Sequence, residues 1–411
     1  MTIDQLINTA VFSQDGQQKE EARAEIRKLA KSQGIFPASI FPLYQAFGKK
    51  EVSGFTVPAV NIRTLTYDTA RIIFSLMKKH HIGTVIFEIA RSEMDYTDQR
   101  PDEYAVSVLA AAIKENYSGP IFLQGDHFQL SKRRFTENQE SEIQKIRDLA
   151  TEAIQAQFFN IDIDASTLVD LEKPILSEQQ KTNFEVTATL TKHIRSLEPK
   201  GTTIAIGGEI GHIGGKNSTT ADFGAFMEGY LALLDIPGIS KVSVQTGTSH
   251  GGVPLPDGTM ADIKLDFSVL ANVGKVAREK YGLGGAVQHG ASTLPSELFG
   301  EFVKAETLEI HLATGFQNIV YDTMPTSLRK EMHQWTKDNC QKEREEGWSD
   351  EQFVYKMRKI ALGPFKQKLW ELTNEDKAPI REKLRDQFAF LFEKLNVFDT
   401  RSVVDRYISI V

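Results

Sequence analysis

The chain has 411 residues, 41% hydrophobic and 25% charged, with a formal net charge of −7; this is the make-up of an ordinary globular protein, long enough for one large domain with extensions or for two domains, and an acidic balance without a long Lys/Arg run argues against a nucleic-acid partner. A single cysteine, Cys340, excludes an intrachain disulfide and fits a reducing compartment. No apolar run reaches the ~20 residues of a membrane helix and the first residues show no basic-then-apolar leader, so a cytoplasmic protein with no membrane contact is expected.

Residues 1–50 are expected to be helical and polar, with strong helix formers over 20–30. From about residue 55 a strand–helix rhythm sets in. Strands are predicted over 56–61, 84–90, 120–125 and 158–164, with helices over 68–80, 102–116, 141–157 and 177–197. In the first of these helices Ala70, Ile73, Leu76 and Met77 fall near one face. The second half repeats the rhythm, with strands over 202–207, 241–245, 285–288 and 315–321 and helices over 221–234, 267–281 and 296–312. Eight strands alternating with helices predict an α/β fold, a (β/α)8 TIM barrel with added N-terminal and C-terminal helices. A doubly wound open sheet would need a Gly-rich phosphate turn after an early strand, and Val60-Asn-Ile-Arg-Thr64 is not one. The expected organisation is a helical extension over 1–50, a barrel over 51–325 and a helical extension over 326–411. In the last segment Trp335, Trp348, Phe353, Trp370, Phe388, Phe390 and Phe392 are expected to pack against the barrel or a second subunit, and Pro364 and Pro379 to break it into helices.

Four polar motifs follow predicted strands: Gln124-Gly-Asp-His127, Gly207-Gly-Glu-Ile-Gly-His-Ile-Gly-Gly215, Gln245-Thr-Gly-Thr-Ser-His-Gly-Gly252 and Val287-Gln-His-Gly-Ala-Ser292. Polar residues gathered at successive strand ends are how such a barrel builds an active site. His127, His250 and His289 could supply three imidazole ligands to zinc and leave a position open for substrate. His80, His81, His193, His311 and His333 lack this setting and read as surface or packing residues. Asp126 is either a general acid/base beside the metal or a carboxylate that caps a helix or orients a ligand. Both it and His127 reach the site only where the strand gives way to a loop, since neighbouring strand residues face opposite ways. Glu209 precedes a Gly-rich loop suited to an anion, and Asp162 and Asp164 share a strand face on which they could bind a cation or anchor the next loop.

Over about residues 54–322 the chain resembles the class II, metal-dependent fructose-bisphosphate and tagatose-bisphosphate aldolases. The resemblance rests on Asp126-His127, Ile163-Asp-Ala-Ser166, Gly208-Glu-Ile-Gly-His-Ile-Gly-Gly215, Gly247-Thr-Ser-His-Gly251, Lys264-Leu-Asp-Phe267 and His289-Gly-Ala-Ser292, in that order. It implies Zn2+ or another divalent metal on His127, His250 and His289, with Glu209 as an alternative ligand and Asp164 at a second, monovalent cation site. It also implies Asp126 as the group that moves the hydroxyl proton, and Asn61, Gly251, Gly290, Ser292 and Asn318 as substrate or phosphate contacts. The implied reaction is reversible cleavage of a phosphorylated ketose, such as fructose 1,6-bisphosphate, to dihydroxyacetone phosphate and an aldehyde through a metal-stabilised enediolate.

The departures from the family pattern concern substrate handling. Lys216-Asn-Ser-Thr-Thr220 follows the Gly-Gly where acids are usual, the next acid being Asp222. The run Gly251-Gly-Val-Pro-Leu-Pro-Asp257 after His250 carries no lysine where one is common, Asn318-Ile-Val-Tyr-Asp322 replaces Asn-Ile-Asp-Thr-Asp, and Gln124 stands where a histidine is common. The expectation is a divergent aldolase taking a sugar phosphate. The alternatives are an aldolase for a different or singly phosphorylated sugar, and a non-catalytic barrel subunit that supports a tagatose-bisphosphate aldolase. The helical extensions either reshape the site or join a homo-oligomer.

Overall fold

The computed structural model describes residues 1–211, 216–247 and 265–409. After a short strand, β1 (Ile35–Pro37), come eight more: β2 (Val57–Asn61), β3 (Ile86–Ala90), β4 (Gly119–Gln129), β5 (Asn160–Asp164), β6 (Ala205–Glu209), β7 (Lys241–Val244), β8 (Ala286–Gln288) and β9 (Glu309–Leu312). Each of β2 to β8 pairs in parallel with the next, and β9 returns to β2 with Val57 opposite Glu309, closing a barrel of eight parallel strands surrounded by helices. β1 adds to the lower end of β4, with Ile35 opposite Gly119. The strands are buried because helices cover the outside and side chains fill the inside. Helix Thr66–Lys79 illustrates the outer layer: Ala70, Ile73, Leu76 and Met77 are buried, and Lys78 and Lys79 complement the negative end of its dipole.

Three expectations are corrected. Residues 315–321 are not a strand but lie within helix Thr314–Thr323, and the last barrel strand is Glu309–Leu312, inside the predicted 296–312 helix. That strand carries Glu309 and His311 towards the interior polar groups, while Ile310 and Leu312 are fully buried on the other face. A polar inner face hides a four-residue strand from a reading that looks for apolar residues inside, and Gly315-Phe-Gln-Asn-Ile-Val-Tyr321 is too short an apolar run to tell strand from helix. Pro379 does not break the tail. It lies inside helix Asn374–Lys394, whose Ile380, Leu384, Phe388, Leu391 and Phe392 are buried. That packing outweighs the roughly 3 kcal/mol that an interior proline costs. The N-terminal segment contains β1 as well as helices.

Both terminal segments pack on the barrel. Trp370 meets Phe12 at 5.3 Å and Tyr67 at 6.0 Å between ring centroids, and Phe388 meets Phe316 at 4.5 Å. Asp68, on the helix after β2, is clamped by Lys377 at 3.1 Å and by Arg381. One hydrophobic core therefore runs from Leu6 to Ile408. Cys340 is buried in a small separate cluster with Phe353 and Val354. Among the described residues no helix is long and apolar enough to cross a membrane.

Candidate metal centre and active site

The barrel interior is polar. At its lower level the Lys241 ammonium, fully buried on β7, bonds to Asp162 Oδ2 at 3.0 Å, Gln124 Oε1 at 2.8 Å and Glu309 Oε1. Gln124 in turn donates to Glu88 at 3.0 Å and Glu309 at 2.9 Å, and the Tyr44 hydroxyl donates to Glu309. Room for this network exists because position 207 is glycine: a Cβ there would overlap the Asp162 carboxylate. Gln124, at the position where a histidine is common, is thus an interior tie between three charged groups.

Above this level β4 solves a geometric problem. The strand does not end at Gly125 but runs on to Gln129, so Asp126 and His127 are adjacent residues of one strand. Pairing with β5 shifts register between Gly125 and Phe128, and His127 sits at φ +40°. This is a β-bulge, with His127 held in the left-handed region that non-glycine residues seldom adopt. It turns both side chains to the site. The Phe128 ring fills the space that a Cβ on Gly125 would occupy.

His127 Nδ1 lies 3.1 Å from Asp164 Oδ2 and 3.4 Å from Glu209 Oε2. Asp164 also accepts from Ser166 N at 3.0 Å, Ser166 Oγ at 2.6 Å and Gln129 Nε2. Its carboxylate is saturated by neighbours that orient His127, the arrangement that fixes imidazole ligands in metal sites. His289, just beyond β8, lies with its Nε2 2.8 Å from Ser243 Oγ, and its ring centroid is 4.2 Å from that of His127. Ligand atoms of His127, Glu209 and His289 all lie within 4.8 Å of one another.

His311, read from sequence as a surface or packing residue, is buried at the centre of the site. Its Nδ1 is 3.0 Å from Glu88 and 3.2 Å from Asp126 Oδ1, and its Nε2 is 2.7 Å from Glu309. With Asp126 and His289 it forms a second group whose ligand atoms meet within 4.8 Å. A histidine two residues after Glu309 on an alternating tetrapeptide was the only signal in the sequence.

The electrostatics follow from the crowding of Glu88, Asp126, Asp162, Asp164, Glu209 and Glu309 in one buried volume. Burial raises the Asp126 carboxyl, but His127, His311 and His289 outweigh it and hold the group well below its ordinary value. Burial lowers His311, and Glu88 and Asp126 carry it well above the usual imidazole range. Glu209 is pushed up to about 7 by burial and by Asp164, with His127 opposing. Buried carboxylates in excess of Lys241, beside convergent imidazoles, are the donor set of a divalent cation, and this cluster is capable of coordinating one.

A cavity of about 780 Å³ opens above these groups. Asn61, Gly290, Ser292 and Asn318 line it. Asn61 Nδ2 donates to Glu93 while its Oδ1 is buried without a hydrogen-bond partner among the described residues. Ser292 Oγ accepts from Gly315 N at 3.1 Å. Asn318 is tied to the C-terminal segment, donating to the Tyr355 hydroxyl at 3.1 Å and accepting from Arg358 at 2.7 Å. That segment also contributes Trp348, Lys356 and Lys359 to the cavity wall, beyond the packing role its aromatics suggest. Asp222, the acid nearest the Gly-rich loop, is engaged as a helix cap, accepting from Thr219 N at 2.9 Å and Thr219 Oγ1 at 2.6 Å. His250 and Gly251 lie outside the described residues.

The model of the family described as fructose-bisphosphate aldolase class-II matches residues 43–376. No curated protein sequence matches the chain. Among solved structures the chain is similar to the fructose-bisphosphate aldolase of Campylobacter jejuni, at 16% identity over 89% of this chain and 96% of that one, with TM-score 0.51. It is similar to a probable tagatose 6 phosphate kinase from Sinorhizobium meliloti 1021, at 14% identity over 86% and 99%, with TM-score 0.54. It is also similar to the fructuronate-tagaturonate epimerase UxaE of Cohnella laeviribosi, at 12% identity over 91% and 86%, with TM-score 0.59. At these identities the likeness is one of fold. The family match over most of the chain, on a closed barrel with a buried histidine–carboxylate cluster, shows that the protein is a divergent member of the class II fructose-bisphosphate aldolase family, a metal-binding barrel that acts on a phosphorylated sugar.

Proposed function

We propose that the chain is a zinc-dependent aldolase that cleaves a phosphorylated ketose to dihydroxyacetone phosphate and an aldehyde. The observation that carries this reading is the convergence of His127, Glu209 and His289 beside an Asp126 held ionised by three imidazoles. His127, His289 and Glu209 would hold the metal, with His250 as the remaining imidazole that the sequence supplies. When bound, a divalent ion supplies a Lewis acid for the negative charge that builds on the ketose carbonyl oxygen as the carbon–carbon bond breaks.

The chain's own residues do the rest. Asp126 Oδ1 takes the proton from the hydroxyl on the carbon that becomes the aldehyde, and the electron pair of the breaking bond moves towards the ketone. Asp164 positions His127 and keeps its ring aimed at the site. His311 holds Asp126 at 3.2 Å and keeps it charged. Asn61 Oδ1 is placed to accept from a substrate hydroxyl. Ser292 and Gly290 face the same cavity and serve a phosphate oxygen there. Retention of Asp126 among three histidines, two of them buried, argues against a purely supporting subunit, which has no use for such a costly cluster.

The test is triose-phosphate release from a panel of ketose monophosphates and bisphosphates, with and without a chelator. Chelator-sensitive release supports the reading and names the sugar. Absence of release from every sugar by a protein shown to be metal-loaded would overturn it.

A further inference from the structure

The wall of the cavity opposite the barrel is built by the C-terminal extension, and its half-buried Lys359 is unlike the other partly buried lysines of that segment. Lys337, Lys366, Lys368 and Lys377 each face a carboxylate, at 3.0 Å from Asp350 for Lys337 and 3.1 Å from Asp68 for Lys377. Lys359 and Lys356 line the cavity, and neither ammonium is paired with a carboxylate among the described residues. Lys359 is half-buried, with its Nζ 5.6 Å from the centroid of the Tyr96 ring, and Lys356 Nζ lies 4.8 Å from that of Trp348. Burial lowers the Lys359 pKa, and the charges of Arg63 and Lys356 lower it further against the opposing pull of Glu93. Glu93 is already paired, at 2.8 Å, with Arg63. Arg63 itself is anchored by Thr314 at 3.2 Å and Gln317 at 3.1 Å, so the cationic group is fixed in place. Of the other acids on the lining, Glu88, Asp126 and Glu209 belong to the buried histidine–carboxylate cluster, and Glu343, Glu345 and Asp95 lie on exposed stretches.

Three cations in one pocket wall repel one another, and a half-buried ammonium without a counter-charge is unfavourable unless an anion arrives. The run Gly251–Asp257 that follows His250 carries no lysine. We propose that the C-terminal extension supplies an anion-binding subsite in which Lys359, supported by Lys356 and Arg63, receives the terminal oxyanion of an open-chain sugar, a phosphate ester or a carboxylate, whose carbonyl end lies at the metal ligands. The inference rests on the cavity being the substrate cavity of the proposed function. It adds that the distal group is read by residues of the extension, which makes the extension part of the substrate site.

The experiment is calorimetric titration of the metal-loaded full chain with glycerol 3-phosphate and, separately, with D-glycerate. The expected result is binding of at least one probe. Lys359→Met should weaken it by about tenfold or more, Lys359→Arg should retain most of it, and the exposed Lys356→Met should weaken it to a lesser degree, with metal content unchanged in all three. Binding of the phosphate probe alone identifies a phosphate ester, and of the glycerate alone a sugar acid. Failure of both probes to bind the parent chain, or unaltered binding in Lys359→Met, would overturn the proposal. Loss of the aldolase reading would show differently, as intact Lys359-dependent probe binding without triose-phosphate release.

Discussion

Asp126 and Lys241 illustrate two uses of charge inside one barrel. Asp126 is ionised because imidazoles surround it and stands open to the cavity, so its negative charge is available to a substrate hydroxyl. Asp126→Asn keeps the shape and removes the proposed base. We expect metal content to be retained and cleavage to fall on the order of 10²–10⁴-fold, checked by kcat alongside metal analysis. An Asn variant of full activity would assign the proton to another group. His289→Ala should lose metal and activity together, and full metal occupancy in that variant would remove His289 from the ligand set. Lys241 is fully buried and does not line the cavity. It neutralises Asp162 and Glu309, 79 and 68 residues away in sequence. Lys241→Met leaves those carboxylates buried without their cation and should cost about 3–5 kcal/mol, read from urea unfolding.

Among elements, β4 carries the most chemistry because it contains an irregularity. A regular strand would send either Asp126 or His127 into the surrounding helices. The bulge accommodates both, and its strain at His127 is offset by the bonds of that ring to Asp164 and Glu209 and by the packing of Phe128 beneath it. Gly125→Ala would press a methyl into the Phe128 ring. We expect a loss of about 1–3 kcal/mol together with weaker metal binding, since the ring that must shift belongs to the residue next to His127, the proposed ligand. A Gly125→Ala protein with parent-like melting and metal affinity would show that the bulge does not depend on that close approach. The helix Thr314–Thr323 has a comparable double role: Phe316 packs on Phe388 while Asn318 reaches Tyr355 and Arg358 beside the cavity.

On the scale of the whole molecule, the extensions are continuous with the barrel core. Phe388 is fully buried between Phe316 and Phe392, and Phe388→Ala should cost about 3–5 kcal/mol in chemical unfolding. Because helix Asn374–Lys394 and the wall carrying Lys359 belong to the same segment, that variant should also disturb the cavity, seen as a raised KM before any loss of kcat. A metal ion held by the cluster would bind only the assembled fold, so a chelator should lower the melting temperature and added metal restore it. A melting point indifferent to chelator would mean that the cluster holds no ion in the folded chain.

The barrel rhythm was legible in the sequence because parallel strands and their covering helices are local apolar patterns of different period. The Asp126-His127, Glu209 and His289-Gly290 motifs were legible because they come within a few residues of the apolar runs of such strands, Asp126-His127 inside β4, Glu209 at the end of β6 and His289 just after β8. The rest was decided in three dimensions. Glu309 and His311 hid the last strand, since their partners Lys241, Gln124, Glu88 and Asp126 come from other strands and no local period marks a polar interior. The bulge that aims His127 depends on register against β5, and the cationic wall depends on residues 356 and 359 folding back over residues 63 and 96. Local sequence sets which segments become strands and helices. Which buried charges neutralise one another, and which face a cavity without a partner, is set only when closure of the barrel brings distant strands to one axis and the extension over its mouth.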